Sequence, residues 1–309
     1  MKFVYGPVPS RRLGSSLGID PIPSKTCNYQ CVYCQLGKTT TFTNTRENFF
    51  PKQEIITEME EAINLNENEF DYITFVGSGE PTLYKDLKSL ILKAKKASNK
   101  PVCVITNGSL LNEKQVQDTL IHSDIVLPSL DSGDEKGFIK INRPHPSINF
   151  NKMIQGFIDF KKNYNGKFWI EVMLLNGIND TKTELLKIKE KIELIKPDRI
   201  DINFPIRPPA EDWVKIPDIN VFSILNDIFK DYSNINYPEK GIFKTYSHDF
   251  EYELLSIIER HPMRQEQIIE TFSFINHSEI ISLLYKLESQ KKIKKIMYNK
   301  QLFWKLNLN

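Results

Sequence analysis

Apolar positions along this chain fall into two periods. Six short runs are apolar almost throughout: Ser16 to Pro23, Tyr72 to Gly77, Val102 to Thr106, Ile125 to Leu130, Phe168 to Leu175 and Arg199 to Phe204. Amphipathic stretches lie near Lys52 to Leu65, Tyr84 to Ser98, Glu113 to Ile121, Asn149 to Tyr164, Thr181 to Ile195 and Val221 to Tyr232. Strands apolar on both faces, alternating with helices, predict an α/β fold with a covered parallel sheet. Periodicity leaves open whether that sheet closes into a barrel, stays a partial barrel or is doubly wound.

After Tyr237-Pro238-Glu239-Lys240-Gly241 the pattern changes to three short helices and a hairpin. Leu254, Leu255, Ile257 and Ile258 form one stripe ending at Pro262, and Gln265 to Phe272 forms a second helix. Asn276 with Glu279 reads as a capping box opening a third, and two strands flank Asn299-Lys300. This is the order of a winged helix and predicts a boundary near Ser247, with units at 1–240 and 247–309.

The chain has 309 residues, 40% hydrophobic and 11% aromatic, enough for about two domains of roughly 150 residues. A net charge of +2 names no polyanionic partner. No run approaches the roughly 18 continuous apolar residues of a membrane span, so a cytoplasmic location away from membranes is expected. One local exception is the stretch from Lys286 onward, with seven lysines against Glu288. Phosphate binding by that wing is one reading. Asn276, His277, Ser278 and Glu279 at the start of the recognition helix argue against sequence-specific DNA binding. A docking module for RNA or protein is therefore expected.

Three of the four cysteines, Cys27, Cys31 and Cys34, crowd into a C-x3-C-x2-C pattern. On an α-helix the outer two would be about 10 Å apart along the axis, so a compact ligand set requires a loop. Wrapped in a loop, three soft thiolates suit three irons of a [4Fe-4S] cube, whose fourth iron then lacks a protein ligand. The alternatives are a zinc site completed by a remote histidine, or ordinary buried cysteines. His122, His145, His248, His261 and His277 are scattered, and Cys103, in an apolar run, reads as structural.

Cys27-Asn28-Tyr29-Gln30-Cys31-Val32-Tyr33-Cys34 resembles the motif of the radical S-adenosylmethionine (radical SAM) superfamily, including the aromatic before the last cysteine. Gly77-Ser78-Gly79-Glu80-Pro81 is similar to that family's GGEP segment, and Thr106-Asn107-Gly108 and Ser129-Leu130-Asp131 end the next two strands. The resemblance spans residues 1 to 235. It implies a partial (β/α)6 barrel holding one [4Fe-4S] cluster on Cys27, Cys31 and Cys34, with S-adenosylmethionine on the fourth iron. Ser78, Gly79 and Glu80 would receive the cofactor's amino group, and Tyr33 would lie near the adenine. Asn107, Ser129 and Asp131 would face the ribose and methionine. Electrons would come from a low-potential donor such as flavodoxin or ferredoxin.

The preamble Tyr5-Gly6-Pro7-Val8-Pro9-Ser10-Arg11-Arg12-Leu13-Gly14 resembles stand-alone radical SAM proteins related to wyosine synthases, a likeness that names no reaction. Those synthases carry cysteines upstream of the main motif, whereas none precedes Cys27 here. Arg11, Arg12, Arg143 and Arg207 are expected to clamp a carboxylate or phosphate of the substrate. The rival function is a redox sensor acting through the winged helix. The segments at Ser78, Asn107 and Ser129 weigh against it, because a sensor needs no nucleoside pocket.

Overall fold

The computed structural model describes residues 1–234, 242–247 and 249–307; the Tyr237 to Gly241 segment and His248 lie outside them. In chain order the strands are β1 (Val4–Ser10), β2 (Gly14–Ile19), β3 (Thr26–Cys27), β4 (Thr41–Phe42), β5 (Tyr72–Phe75), β6 (Val102–Thr106), β7 (Ile125–Pro128), β8 (Lys167–Met173), β9 (Arg199–Asn203), β10 (Ser233–Asn234), β11 (Met263–Arg264), β12 (Ile293–Tyr298) and β13 (Gln301–Leu306). The helices are α1 (Lys52–Asn66), α2 (Leu87–Ala97), α3 (Lys114–Leu120), α4 (Glu135–Asn142), α5 (Phe150–Asn163), α6 (Lys182–Ile195), α7 (Val221–Ile228), α8 (Phe250–Ile258), α9 (Gln265–Thr271) and α10 (His277–Ser289).

One sheet of eight strands runs in the order β1-β2-β5-β6-β7-β8-β9-β10. From β2 onward every pairing is parallel, and the sheet curls into a half-barrel. Strands that follow one another in sequence are neighbours in space, which removes the doubly wound alternative. Ile73, Phe75, Val102, Val104, Val126 and Leu127 are fully buried, as the continuous apolar runs required. Each outer helix offers one stripe: α5 buries Phe150, Met153, Ile154, Phe157 and Phe160 at three- and four-residue spacing. Its start is fixed by the Asn149 side chain, which accepts from the Lys152 N–H at 3.0 Å.

Three elements depart from the sequence pattern. β1, written in glycine and proline, is antiparallel to β2 and forms the sheet edge, where a missing N–H is tolerated. α4, an eight-residue helix absent from the predicted set, is capped by Asp134, which accepts from Gly137 N–H at 2.8 Å, and buries Phe138 and Ile141. The expected start of α2 at Tyr84 instead follows a 3-10 turn over Pro81–Leu83, capped by Glu80.

Residues from Phe243 to Trp304 bury a second core, which Tyr5 and Val8 of β1 also enter. Here α8, β11, α9, α10, β12 and β13 follow in order, and β11-β13-β12 form a three-stranded antiparallel sheet. At α10 the Asn276 side chain accepts from Ser278 N–H at 3.1 Å, so the cap forms on a nearer partner than the predicted box with Glu279. This unit sits against the open side of the half-barrel. Tyr298 donates to the Pro205 carbonyl at 2.6 Å, and Lys244 N–H donates to that of Pro7 at 3.2 Å. Among the described residues no helix is long and apolar enough to cross a membrane.

Two substitutions test this partition. Leu254→Ala, which opens a void in the second core, is expected to cost about 2–5 kcal/mol of unfolding free energy in denaturant titrations. Leu186→Ala, on the exposed face of α6, is expected to stay within about 0.5 kcal/mol of the parent.

Candidate cluster and cofactor site

The cysteine loop leaves the barrel through β3 and returns through β4, whose short parallel pairing closes its base. Its far side is pinned to the end of α4: Gln30 N–H donates to the Asn142 carbonyl at 3.0 Å, and Val32 N–H to that of Ile141 at 2.9 Å. Val32 is fully buried against Ile141, Met173, Leu175 and Val214. The loop is thus held open while Cys27, Cys31 and Cys34 stay half-buried and unbridged.

Two amides reach toward the sulfurs. Asn107 Nδ2 lies 3.8 Å from Cys27 Sγ and donates to Asn28 Oδ1 at 2.7 Å. Asn142 Nδ2 lies 3.5 Å from Cys31 Sγ and donates to Asp131 Oδ2 at 2.7 Å. Burial pushes the Cys27 thiol up to about 12, with the nearby Glu80 charge adding to it. Burial likewise raises Cys31 and, to a lesser degree, Cys34, where Lys305 and Lys25 oppose the shift. Buried thiols of this kind become thiolates only when a bound cation compensates the charge. Among the described residues no three His, Cys, Asp or Glu side chains are arranged for a single ion. Three free thiols gathered on one loop are soft donors of the kind that suits an iron–sulfur cluster, and in that chemistry the donor set fits.

Glu80 is 1% exposed, and its carboxylate ties the turn after β5 to the end of β6. Oε1 accepts from Thr82 N–H at 3.0 Å and from the Thr82 and Thr106 hydroxyls at 2.6 Å each. Oε2 accepts from Asn107 N–H at 2.7 Å and keeps capacity for another donor. Asp131, also buried, accepts from the Tyr33 hydroxyl at 2.6 Å and from Met173 N–H at 2.9 Å as well as from Asn142. Burial raises its carboxyl to about 6 against these donors. Ser129 bridges β7 to Glu171 on β8 and is half-buried.

The two glycines of the turn are pressed against the chain itself. A Cβ on Gly79 would fall 1.7 Å from the Thr26 carbonyl oxygen, and one on Gly77 would fall 2.0 Å from Asp20 Oδ1. The close approach they permit is therefore to the chain itself, packing the turn onto the base of the cysteine loop.

A cavity of about 280 Å³ opens beside Cys31, Tyr33 and Cys34 and runs along the inner face of the sheet. Arg11, Arg12 and Arg207 all line it, at the wall where Glu171 and Asn203 stand. Arg12 pairs with Glu171 at 3.0 Å, Arg11 donates to Asn203 Oδ1 at 2.7 Å, and Arg207 donates to Gln35 Oε1 at 2.8 Å. Arg143 is not part of this wall. It turns outward at the end of α4 and pairs with Glu211 at 2.5 Å, because its left-handed backbone (φ 44°) redirects the chain there. Cys103 is fully buried, as its apolar run implied. Sequence reasoning missed Asn28, Asn142 and Asp20; Asn28, inside the Cys27 to Cys34 motif, lay where the sequence pointed.

Comparison with known proteins matches residues 22–188 to the model of the radical SAM superfamily. The chain belongs to the radical SAM superfamily. A UPF0026 protein of Methanocaldococcus jannaschii is 36% identical, over 100% of this chain and 97% of its own length. A Brachyspira hyodysenteriae protein named GTPase Obg is 39% identical over 99% of this chain, which spans only 45% of that relative. In fold, this radical SAM chain is similar to Streptococcus suis SuiB bound to S-adenosylmethionine: TM-score 0.52, 17% identity, 73% of this chain and 50% of that one. Radical SAM enzymes use S-adenosylmethionine and a [4Fe-4S] cluster, and the three cysteines sit within the matched segment.

Asp131→Ala would strand the Tyr33 hydroxyl and the Asn142 amide, each worth about 1–3 kcal/mol when buried without a partner. A loss of about 3 kcal/mol or more is expected in denaturant unfolding, and Asp131→Asn, which keeps an acceptor for Tyr33, is expected to lose less.

Proposed function

We propose that this chain reductively cleaves S-adenosylmethionine at a [4Fe-4S] cluster and uses the resulting radical to take hydrogen from a substrate. When bound, the cluster supplies the electron that splits the sulfonium into methionine and a 5'-deoxyadenosyl radical. The observation that carries this reading is the pair of amides aimed at Cys27 and Cys31, since hydrogen bonds to ligand sulfurs tune an iron–sulfur potential.

The chain's own residues then have defined work. Cys27, Cys31 and Cys34 hold three irons and leave one corner open. Glu80 Oε2 accepts from the cofactor's ammonium, with Ser78 and Gly79 beside it. Tyr33, steadied by Asp131, lies against the adenine, and Asn107 and Ser129 face the ribose and methionine. Asp131 in this reading acts through Tyr33, because its carboxylate already serves three donors. The apolar strand wall and the C-terminal unit keep water from the reacting atoms. Arg11, Arg12 and Arg207 hold an anionic part of the substrate, and a low-potential flavodoxin or ferredoxin supplies the electron.

We read residues 1–240 as the catalytic unit and 247–309 as a winged helix that docks a protein or RNA substrate. Its helix–strand–helix–helix–hairpin order supports this. The lysine wing is not an uninterrupted cationic face: Lys292 pairs with Glu251, Lys295 with Glu288, and Lys305 turns inward to the Gln35 carbonyl at 3.3 Å. That supports a module serving the catalytic site over a DNA reader.

Purified without oxygen, the protein is expected to be brown and, after dithionite reduction, to release 5'-deoxyadenosine measurable by chromatography. Cys31→Ala should lose both colour and product; a colourless parent that binds zinc and no iron would end this reading. For the substrate side, Arg11→Ala is expected to keep cofactor cleavage while losing deuterium transfer from labelled cell fractions into 5'-deoxyadenosine. Full transfer in that variant would remove Arg11 from the substrate wall.

A further inference from the structure

The open side of the half-barrel and the cofactor turn meet at one buried charge. Asp20, just past β2, is 2% exposed. Its Oδ2 accepts from Ser78 N–H at 3.1 Å, from the Ser78 hydroxyl at 2.8 Å and from Arg260 Nε at 3.0 Å. Its Oδ1 accepts from Ile22 N–H at 3.3 Å and fills the space beneath Gly77.

Arg260 comes from the other core, two residues past α8, and is 9% exposed. It donates from Nη2 to the Lys2 carbonyl at 2.9 Å and from Nη1 to that of Ser256 at 3.2 Å. Its guanidinium lies 5.2 Å from the centre of the Tyr5 ring. Its own carbonyl accepts from Gln35 Nε2 at 2.9 Å, directly after Cys34. The ion pair thus joins positions 240 residues apart and touches both sides of the cofactor site. A buried carboxylate and guanidinium persist together only when geometry is good and their remaining hydrogen-bonding groups are satisfied, and removing one strands the other.

We infer that Arg260 is a positioning residue for S-adenosylmethionine: through Asp20 it holds the Gly77-Ser78-Gly79 turn, so that seating of the C-terminal unit and cofactor binding are linked. The inference rests on the reading that this turn receives the cofactor's amino group. Such coupling is reciprocal, so a partner that shifts Arg260 alters cofactor affinity by the factor with which the cofactor alters the partner's.

The test compares Arg260→Met, Asp20→Asn, their double variant and Tyr298→Phe in anaerobically reconstituted full-length protein matched for iron content. Affinity for radiolabelled S-adenosylmethionine is read by equilibrium dialysis, and amide exchange over residues 77–83 by mass spectrometry without the cofactor. Arg260→Met and Asp20→Asn are each expected to weaken affinity about tenfold or more, within the usual range of site-to-site coupling. The double variant should be no weaker than the weaker single, and exchange at the turn should rise. Tyr298→Phe, which loosens the unit elsewhere, should stay within about twofold of the parent.

Parental affinity and exchange in Arg260→Met would overturn the inference, as would an equal loss in Tyr298→Phe. If the parent with a full cluster binds no S-adenosylmethionine, the functional reading fails. The exchange data alone then decide whether Arg260 holds the turn: faster exchange supports it, and unchanged exchange overturns it.

Discussion

A single buried carboxylate holds the rim of this half-barrel in register. Glu80 would be costly to bury alone, since an uncompensated charge in an apolar interior is worth many kcal/mol. Its four accepted hydrogen bonds draw Thr82, Thr106 and Asn107 onto one point. Asn107 then reaches Asn28 and the sulfur of Cys27, so the geometry of the cysteine loop is inherited from the strand ends. Asp131 does the same on the opposite side through Tyr33 and Asn142. Two carboxylates, each bonded from several segments, thus position the amides that reach Cys27 and Cys31.

What the sequence made legible follows from where local physics dominates. Six of the seven parallel strands of the large sheet and most of the outer helices were visible because apolar runs and 3.6-residue stripes are local signals. The cysteine loop was visible because three soft ligands at short spacing have few other uses. β1 was hidden because Gly6, Pro7 and Pro9 punctuate it, and only an edge position makes such a strand acceptable. Asp20 was hidden for a different reason. It is one aspartate among many until Arg260, 240 residues away, is brought against it. Gly77 and Gly79 stand out within the segment similar to GGEP, but only the folded chain shows that the groups pressed against them are Asp20 and Thr26. Arg143 looked equivalent to Arg11 and Arg207, and only its left-handed backbone turns it away from the cavity.

The C-terminal unit contributes side chains to the cavity beside the cysteines. Arg260 and His261 line the cavity with Cys31 and Cys34, and Lys305 lies over the residue after the last cysteine. A half-barrel leaves one side of its lumen open, and here that side is faced by a separately cored module. The wall of the cavity is therefore lined from two hydrophobic units, which meet through the apolar Tyr5 and Val8 as well as through polar contacts such as Arg260 with Asp20.

Tyr5 and Val8 belong to the first strand but are covered by the second core. During synthesis, the earliest part of the sheet to emerge must wait, half clothed, for residues made hundreds of codons later. The sheet can wind strand by strand as it appears, yet its leading edge stays exposed and sticky until the final hairpin arrives. A nascent chain of this kind has reason to need shelter on its first strand, whose Tyr5 and Val8 also line the cavity beside Cys31 and Cys34.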